Sequence, residues 1–166
     1  MTAVLGGFAQ FFIPTHLLAV VALGLLAGQS ARITIIVAAF ALGLAAGSFA
    51  IALGVGETPA TLILLTVAAI AACLVVVERG APPAISLPLA VITGTAIALN
   101  TPPHEITIRA AISAQWGTAL AALCAFGVGE KLSTEATRPW QRIGIRIVGS
   151  WIAASAILVL ALRLVR

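Results

Sequence analysis

The run ATLILLTVAAIAACLVVV at residues 60–77 carries no charged side chain, and its apolar residues cover every helical face. A surface helix of a water-soluble domain keeps its apolar residues in one stripe. A run that is apolar all round, and close to the roughly 20 residues that cross a hydrocarbon core, reads as a membrane helix. Its Ala- and Leu-rich composition lacks the period-two alternation of a barrel strand. A helix also satisfies its own backbone hydrogen bonds, as the bilayer interior demands.

Working outward, similar runs occupy residues 4–28, 33–55, 84–100, 106–128 and 143–165. The expected fold is therefore all-α: a polytopic membrane protein with a bundle of six transmembrane helices, forming one domain over residues 1–166. The whole chain agrees with this reading. It is 61% hydrophobic and 8% charged, with no aspartate, and its mean hydropathy is +1.18. Soluble proteins carry about 25% Asp, Glu, Lys and Arg. The short connections leave no room for a soluble domain.

The net charge of +4 invites a nucleic-acid reading, but the placement of the cations argues against one. Arg32, Arg79, Lys131, Arg138, Arg142 and Arg146 fall at or near the connections after helices one, three and five, whereas Arg109, Arg163 and Arg166 fall on the other side. The positive-inside rule makes the first group cytoplasmic and puts both termini outside. Anionic lipids are a secondary partner for this basic side. Cys73 and Cys124 read as small buried hydrophobes within helices three and five, not as a disulfide. The N-terminus lacks a basic leader and a clear cleavage site, which leaves a directly inserted first helix and a processed start both open.

Helices one and four are proline-interrupted, by Pro14 and Pro88, since proline removes a backbone donor and kinks or restarts a helix. They hold matching positions in two three-helix halves, and paired broken helices mark binding sites in transporters. Residue-level similarity between the halves is not evident from the sequence. Gly43 and Gly47, with Ala39, form a small-residue row on helix two, and Gly149, Ser150 and Ser155 form another on helix six; such rows let helices approach closely. The longest connection expected is 129–142, with Trp140 at the membrane interface.

Few residues can carry chemistry. His16 and His104 are the two histidines, and both belong to the outer half of the expected bundle. Glu57 and Glu105 are on the same side, and Asn100 closes helix four. Neutral imidazoles with a carboxylate suit a borderline divalent metal such as nickel, cobalt or zinc, and an ionisable residue in a membrane helix is a functional candidate by default. The blander reading is an interhelical hydrogen bond for His16 and Asn100, and a solvated or Arg109-paired role for the others. No nucleophile–base pair, phosphate loop or carboxylate dyad occurs, so an enzyme is not expected. Thr93, Thr95, Ser113, Gln115 and Thr118 could line a path for a neutral solute, unless their hydroxyls turn back to the backbone.

The run Thr15-His16-Leu17-Leu18-Ala19-Val20-Val21-Ala22-Leu23-Gly24-Leu25 resembles the first-helix signature of the HupE/UreJ family, and residues 142–154 resemble its last helix. Members are small six-helix membrane proteins of hydrogenase and urease gene clusters, regarded as nickel or cobalt permeases. The chain departs from the family's motifs. Where the first reads His-Pro-x-x-Gly-x-Asp-His, this chain has Ala9, Gln10, Ile13, Thr15 and His16. Where the second reads Phe-His-Gly-x-x-His-Gly-x-Glu, it has Leu99, Asn100, Thr101, His104, Glu105 and Thr107. One histidine survives in each.

The resemblance implies a multi-pass protein of the bacterial inner membrane that moves Ni²⁺ or Co²⁺ as cargo. His16 and His104 would form the site, with oxygen ligands from Asn100, Glu57 or Glu105. No bound cofactor is expected beyond that ion. The alternative is a family member that has lost transport and serves as a structural or assembly subunit, with lipids, partner membrane subunits or further copies of itself as its contacts.

Overall fold

The computed structural model describes residues 13–53, 60–78, 81–100 and 108–165, together with Val4 and Phe11. The described residues form six helices and no strand: α1 (Pro14–Gly28), α2 (Ile33–Ala52), α3 (Ala60–Val77), α4 (Pro83–Leu99), α5 (Ile108–Thr134) and α6 (Pro139–Leu164). Four of them, α2, α3, α5 and α6, are long and apolar enough to cross a membrane, whereas α1 and α4 are shorter apolar helices. The expected start of the first helix at residue 4 falls mostly outside the described residues. The continuous part begins at Pro14, which occupies the first helical turn after an extended Ile13. That position suits proline, because its missing N–H would have had no helical partner.

The surface is inside-out by the standards of a soluble protein. Leu42, Phe49, Trp151, Leu158 and Leu162 are all more than 60% exposed. Contiguous apolar surface on this scale marks a membrane or partner contact. Cys73 and Cys124 are exposed as well, which corrects the expectation that they are buried. On helices apolar all round, composition cannot separate the lipid face from the bundle face, and a cysteine costs nothing against acyl chains.

The 129–142 connection is also corrected. α5 runs on to Thr134 and α6 already begins at Pro139, leaving a short link. The polar residues Glu130 and Lys131 lie in the last turns of the helix and do not end it. Pro139 again sits in the first turn, and the Gln141 side chain accepts a hydrogen bond from the Arg138 N–H at 3.0 Å. The reciprocal half of a capping box is missing, since a guanidinium offers no acceptor. At the end of α3, Glu78 takes a left-handed φ of 56°, the helix-ending conformation that glycine usually supplies.

α1 is the centre of the bundle. Ala19, Val20, Ala22, Leu23 and Ala27 are fully buried, and α1 touches every other helix. The three most extensive pairings are α1 with α5, α2 with α4, and α3 with α6. Glycine makes the first two possible. A Cβ on Gly24 would stand 2.5 Å from the Phe126 carbonyl oxygen, and Gly43 and Gly94 pack onto the main chains of α4 and α2. Gly47 meets Thr95 and Ala98, so the expected small-residue row on α2 is present. On α6 the packed face is Gly149, Ile152, Ala153 and Ala156. Ser150 and Ser155 are exposed instead, and Ser150 bonds back to the Ile147 carbonyl at 2.8 Å.

These contacts set the directions of the helices. The start of α1 meets the start of α3 and the end of α4, while the end of α1 meets the end of α3 through Gln29 and Val75. Odd-numbered helices therefore run one way and even-numbered helices the other, so α1 begins and α6 ends at the same face.

Replacing Gly24 by valine should destabilise the protein in detergent by about 1–3 kcal/mol, the usual overpacking cost. At Gly127 and Gly144 a Cβ would meet nothing within 4 Å. Alanine at either should be neutral or stabilising by up to about 1 kcal/mol through helix propensity. Reversible unfolding in mixed micelles checks both directions.

Candidate functional site

His16 is the third residue of α1, and its backbone N–H bonds the Ile13 carbonyl at 3.0 Å. Its side chain is fully buried, the only histidine among the described residues. Packing supplies one wall: the Phe11 ring stacks on the imidazole with centroids 6.1 Å apart and planes 23° apart. The opposite partner comes from the far end of α4. Asn100 is the C-cap of that helix, its main-chain N–H bonded to the Ala96 carbonyl at 3.0 Å. Its Nδ2 lies 2.9 Å from His16 Nε2.

A third helix completes the cluster. Thr61, the second residue of α3, donates its hydroxyl to Asn100 Oδ1 at 3.2 Å. The direction of this bond orders the rest. With Oδ1 accepting from Thr61, Nδ2 is the donor toward the ring, so Nε2 accepts and the neutral imidazole carries its proton on Nδ1. Nδ1 is buried on the side of the Phe11 main chain, with no other partner among the described residues. Thr15 Oγ1 is also buried, without a partner among the described residues. α1, α3 and α4 are thus tied together at one mouth by a relay of Thr61, Asn100 and His16.

Of the five ligands expected from sequence, the structure brings two together, His16 and Asn100. Glu57, His104 and Glu105 lie outside the described residues. Among the described residues no group of three or more His, Cys, Asp or Glu could hold a metal ion. Chemically, Nε2 is the one lone pair suited to a borderline metal, and here it is engaged by the Asn100 amide. An ion would take Nε2 only as Asn100 swings aside or turns its carbonyl inward.

Thr61 escaped sequence reading, because a hydroxyl at the start of an otherwise uniform apolar helix has no spacing signal. Gln29 escaped too. It caps α1 at the opposite end of the bundle, donates to the Val75 carbonyl at 3.2 Å, and leaves its Oε1 buried without a partner among the described residues. Beside it lies a cleft of about 370 Å³ lined by Gly28, Glu78, Ser133, Thr134 and Arg142, among others. Three hydroxyls of the expected neutral-solute path are engaged by the main chain. Thr93 and Thr118 bond back to the carbonyls of Leu89 and Ala114, and Thr95 bonds across to the Gly43 carbonyl at 3.1 Å.

No protein-family model matches the chain, and no curated protein or solved structure is significantly similar to it.

Interhelical hydrogen bonds in membranes average about 0.6 kcal/mol and reach about 1.7. Asn100 joins both other members of the relay, so Asn100→Ala should cost about 1 kcal/mol or more. A double-mutant cycle of His16→Ala with Asn100→Ala should show a coupling of about 0.6 kcal/mol or more, and additive losses would mean the contact contributes nothing.

Proposed function

We propose that the protein is a secondary permease for a divalent transition metal, nickel or cobalt, of the HupE/UreJ kind. One observation carries this reading: a fully buried imidazole whose Nε2 is held by a single amide where the two short helices, α1 and α4, meet. At 1.5 Å per residue the 15 residues of α1 span about 22 Å. That is less than the roughly 30 Å of a hydrocarbon core, so α1 by itself does not cross it. In this reading all six helices belong to the membrane domain. The face that carries Arg142 and Arg146 is cytoplasmic by the positive-inside rule, and both termini are periplasmic.

The entering ion sheds part of its water shell to His16 Nε2 while Asn100 exchanges its N–H for a carbonyl oxygen. His104, Glu57 and Glu105, expected from sequence on the same side, would supply further donors. Weak, exchangeable ligands suit passage, because a closed tight site would retain its ion. The reading needs no catalytic step.

A second reading has its own support. His16 is held in a hydrogen-bonded relay of the kind that merely packs a bundle, and α2 and α6 present wide apolar faces. On that basis the chain would be a transport-inactive subunit of a larger membrane complex, or one copy in a homo-oligomer.

Uptake of radioactive Ni²⁺ or Co²⁺ into proteoliposomes separates the two. The permease reading expects saturable uptake that falls at least about tenfold, the weight of a lost ligand or its support, in His16→Ala and in the His16→Ala/His104→Ala pair. Uptake absent from the wild type, with a stoichiometric partner co-purifying in mild detergent, favours the subunit reading.

A further inference from the structure

The two tightest helix crossings are copies of one another. In α1 the packed residues are Val21, Gly24 and Gly28, and in α4 they are Val91, Gly94 and Ala98, with the same spacing. Their partners repeat as well: Phe40, Gly43, Leu44 and Gly47 on α2 match Phe126, Gly129, Glu130 and Ser133 on α5.

The contacts agree pair by pair. A Cβ on Gly24 meets Phe126 O, Gly129 Cα and Glu130 N, and one on Gly94 meets Phe40 O, Gly43 C and Leu44 N. In return, one on Gly129 meets Val21 O, and one on Gly43 meets Val91 O. Gly28 meets the Ser133 side chain as Gly47 meets Ala98. The matching rings Phe40 and Phe126 stack on each other, centroids 5.3 Å apart and planes 17° apart, as residues beside a two-fold axis must.

Exchanging α1-α2-α3 with α4-α5-α6 also turns the α1–α5 pairing into α4–α2 and leaves α3–α6 unchanged. Each half has an odd number of helices, and α1 runs opposite to α4. The axis therefore lies across the helices, with one crossing near each face.

We propose that the chain is an inverted repeat of two three-helix halves, and that Ser86 marks a second mouth at the face opposite His16. The register that carries Gly24 onto Gly94 carries His16 onto Ser86 and Ser30 onto Asn100. Ser86 is 1% exposed and His16 0%, so each half places one buried polar side chain in the first turn of its short helix. The two mouths differ in state. At the first, Asn100 holds His16. At the second, Ser86 bonds its own helix at 3.4 Å, and Ser30 accepts from the Arg32 N–H at 3.3 Å. The halves also differ in packing, since α1 lies on α3 while α4 has no comparable contact with α6; exchanging the two arrangements would open the His16 mouth as the Ser86 mouth closes. Resting on the permease reading, this exchange would pass the cation from the imidazole to hydroxyl and water oxygens at the second mouth.

The test needs no transport. Single Ser86→Cys and His16→Cys variants are made in a Cys73→Ala/Cys124→Ala background, both native cysteines being on the outer surface of the bundle. After reconstitution they are labelled with a membrane-impermeant maleimide from each side. The repeat requires labelling from opposite faces. A disulfide staple between His16→Cys and Asn100→Cys, which ties α1 to α4 and shuts the first mouth, should raise Ser86→Cys labelling about tenfold if the open state is otherwise a minor one, and reduction should reverse it. Labelling of both positions from one face, or a staple without effect, overturns the proposal. Ni²⁺ uptake measured in parallel keeps the two ideas apart: reciprocal labelling without uptake supports the repeat and removes the permease, and uptake without reciprocity does the opposite.

Discussion

Main-chain contact at glycine is the constraint on which the structure depends. In lipid the hydrophobic effect does not drive one helix onto another, because acyl chains are as apolar as leucine. Helices associate through dispersion and hydrogen bonds, and both fall off steeply with distance. Gly24, Gly43 and Gly94 bring α1 onto α5 and α2 onto α4 until backbone touches backbone. α1 is wrapped by its neighbours, and at its start Phe11 and Asn100 close over the buried His16.

Burial then sets what the imidazole can do. In a site without water each polar atom needs a protein partner. Asn100 meets this need for two side chains at once, because an amide offers an acceptor to Thr61 and a donor to His16. The same amide blocks the lone pair that a metal would use. In the proposed permease, recognition and closure would be one contact, and an ion that takes His16 would release a tie between α1, α3 and α4. That coupling between ligand and helix packing separates a gate from a passive hydrogen bond.

The sequence makes the helices legible and leaves their faces illegible. The run at 60–77 coincides with α3 (Ala60–Val77), since charge-free length is a strong signal. Nothing in that run says which side of α3 faces lipid, so it cannot place Cys73. Charge misleads at the end of α5, where a polar turn stays helical through Thr134. His16 and Asn100 are recognisable as polar groups in an apolar chain, but their meeting is not. It depends on α1 and α4 running in opposite directions, with the third member, Thr61, on another helix. The internal repeat is hidden because it lives in a few small residues, Gly24 and Gly94 above all, scattered among interchangeable Leu, Ala and Val.

The most direct measurement is the Ni²⁺ X-ray absorption spectrum of the protein in lipid nanodiscs. The account predicts an ion whose shell contains imidazole nitrogen, with the outer-ring scattering of histidine, lost in His16→Ala and kept in Ser150→Ala on the lipid face. A shell of oxygen alone, the same in wild type and His16→Ala, would contradict it.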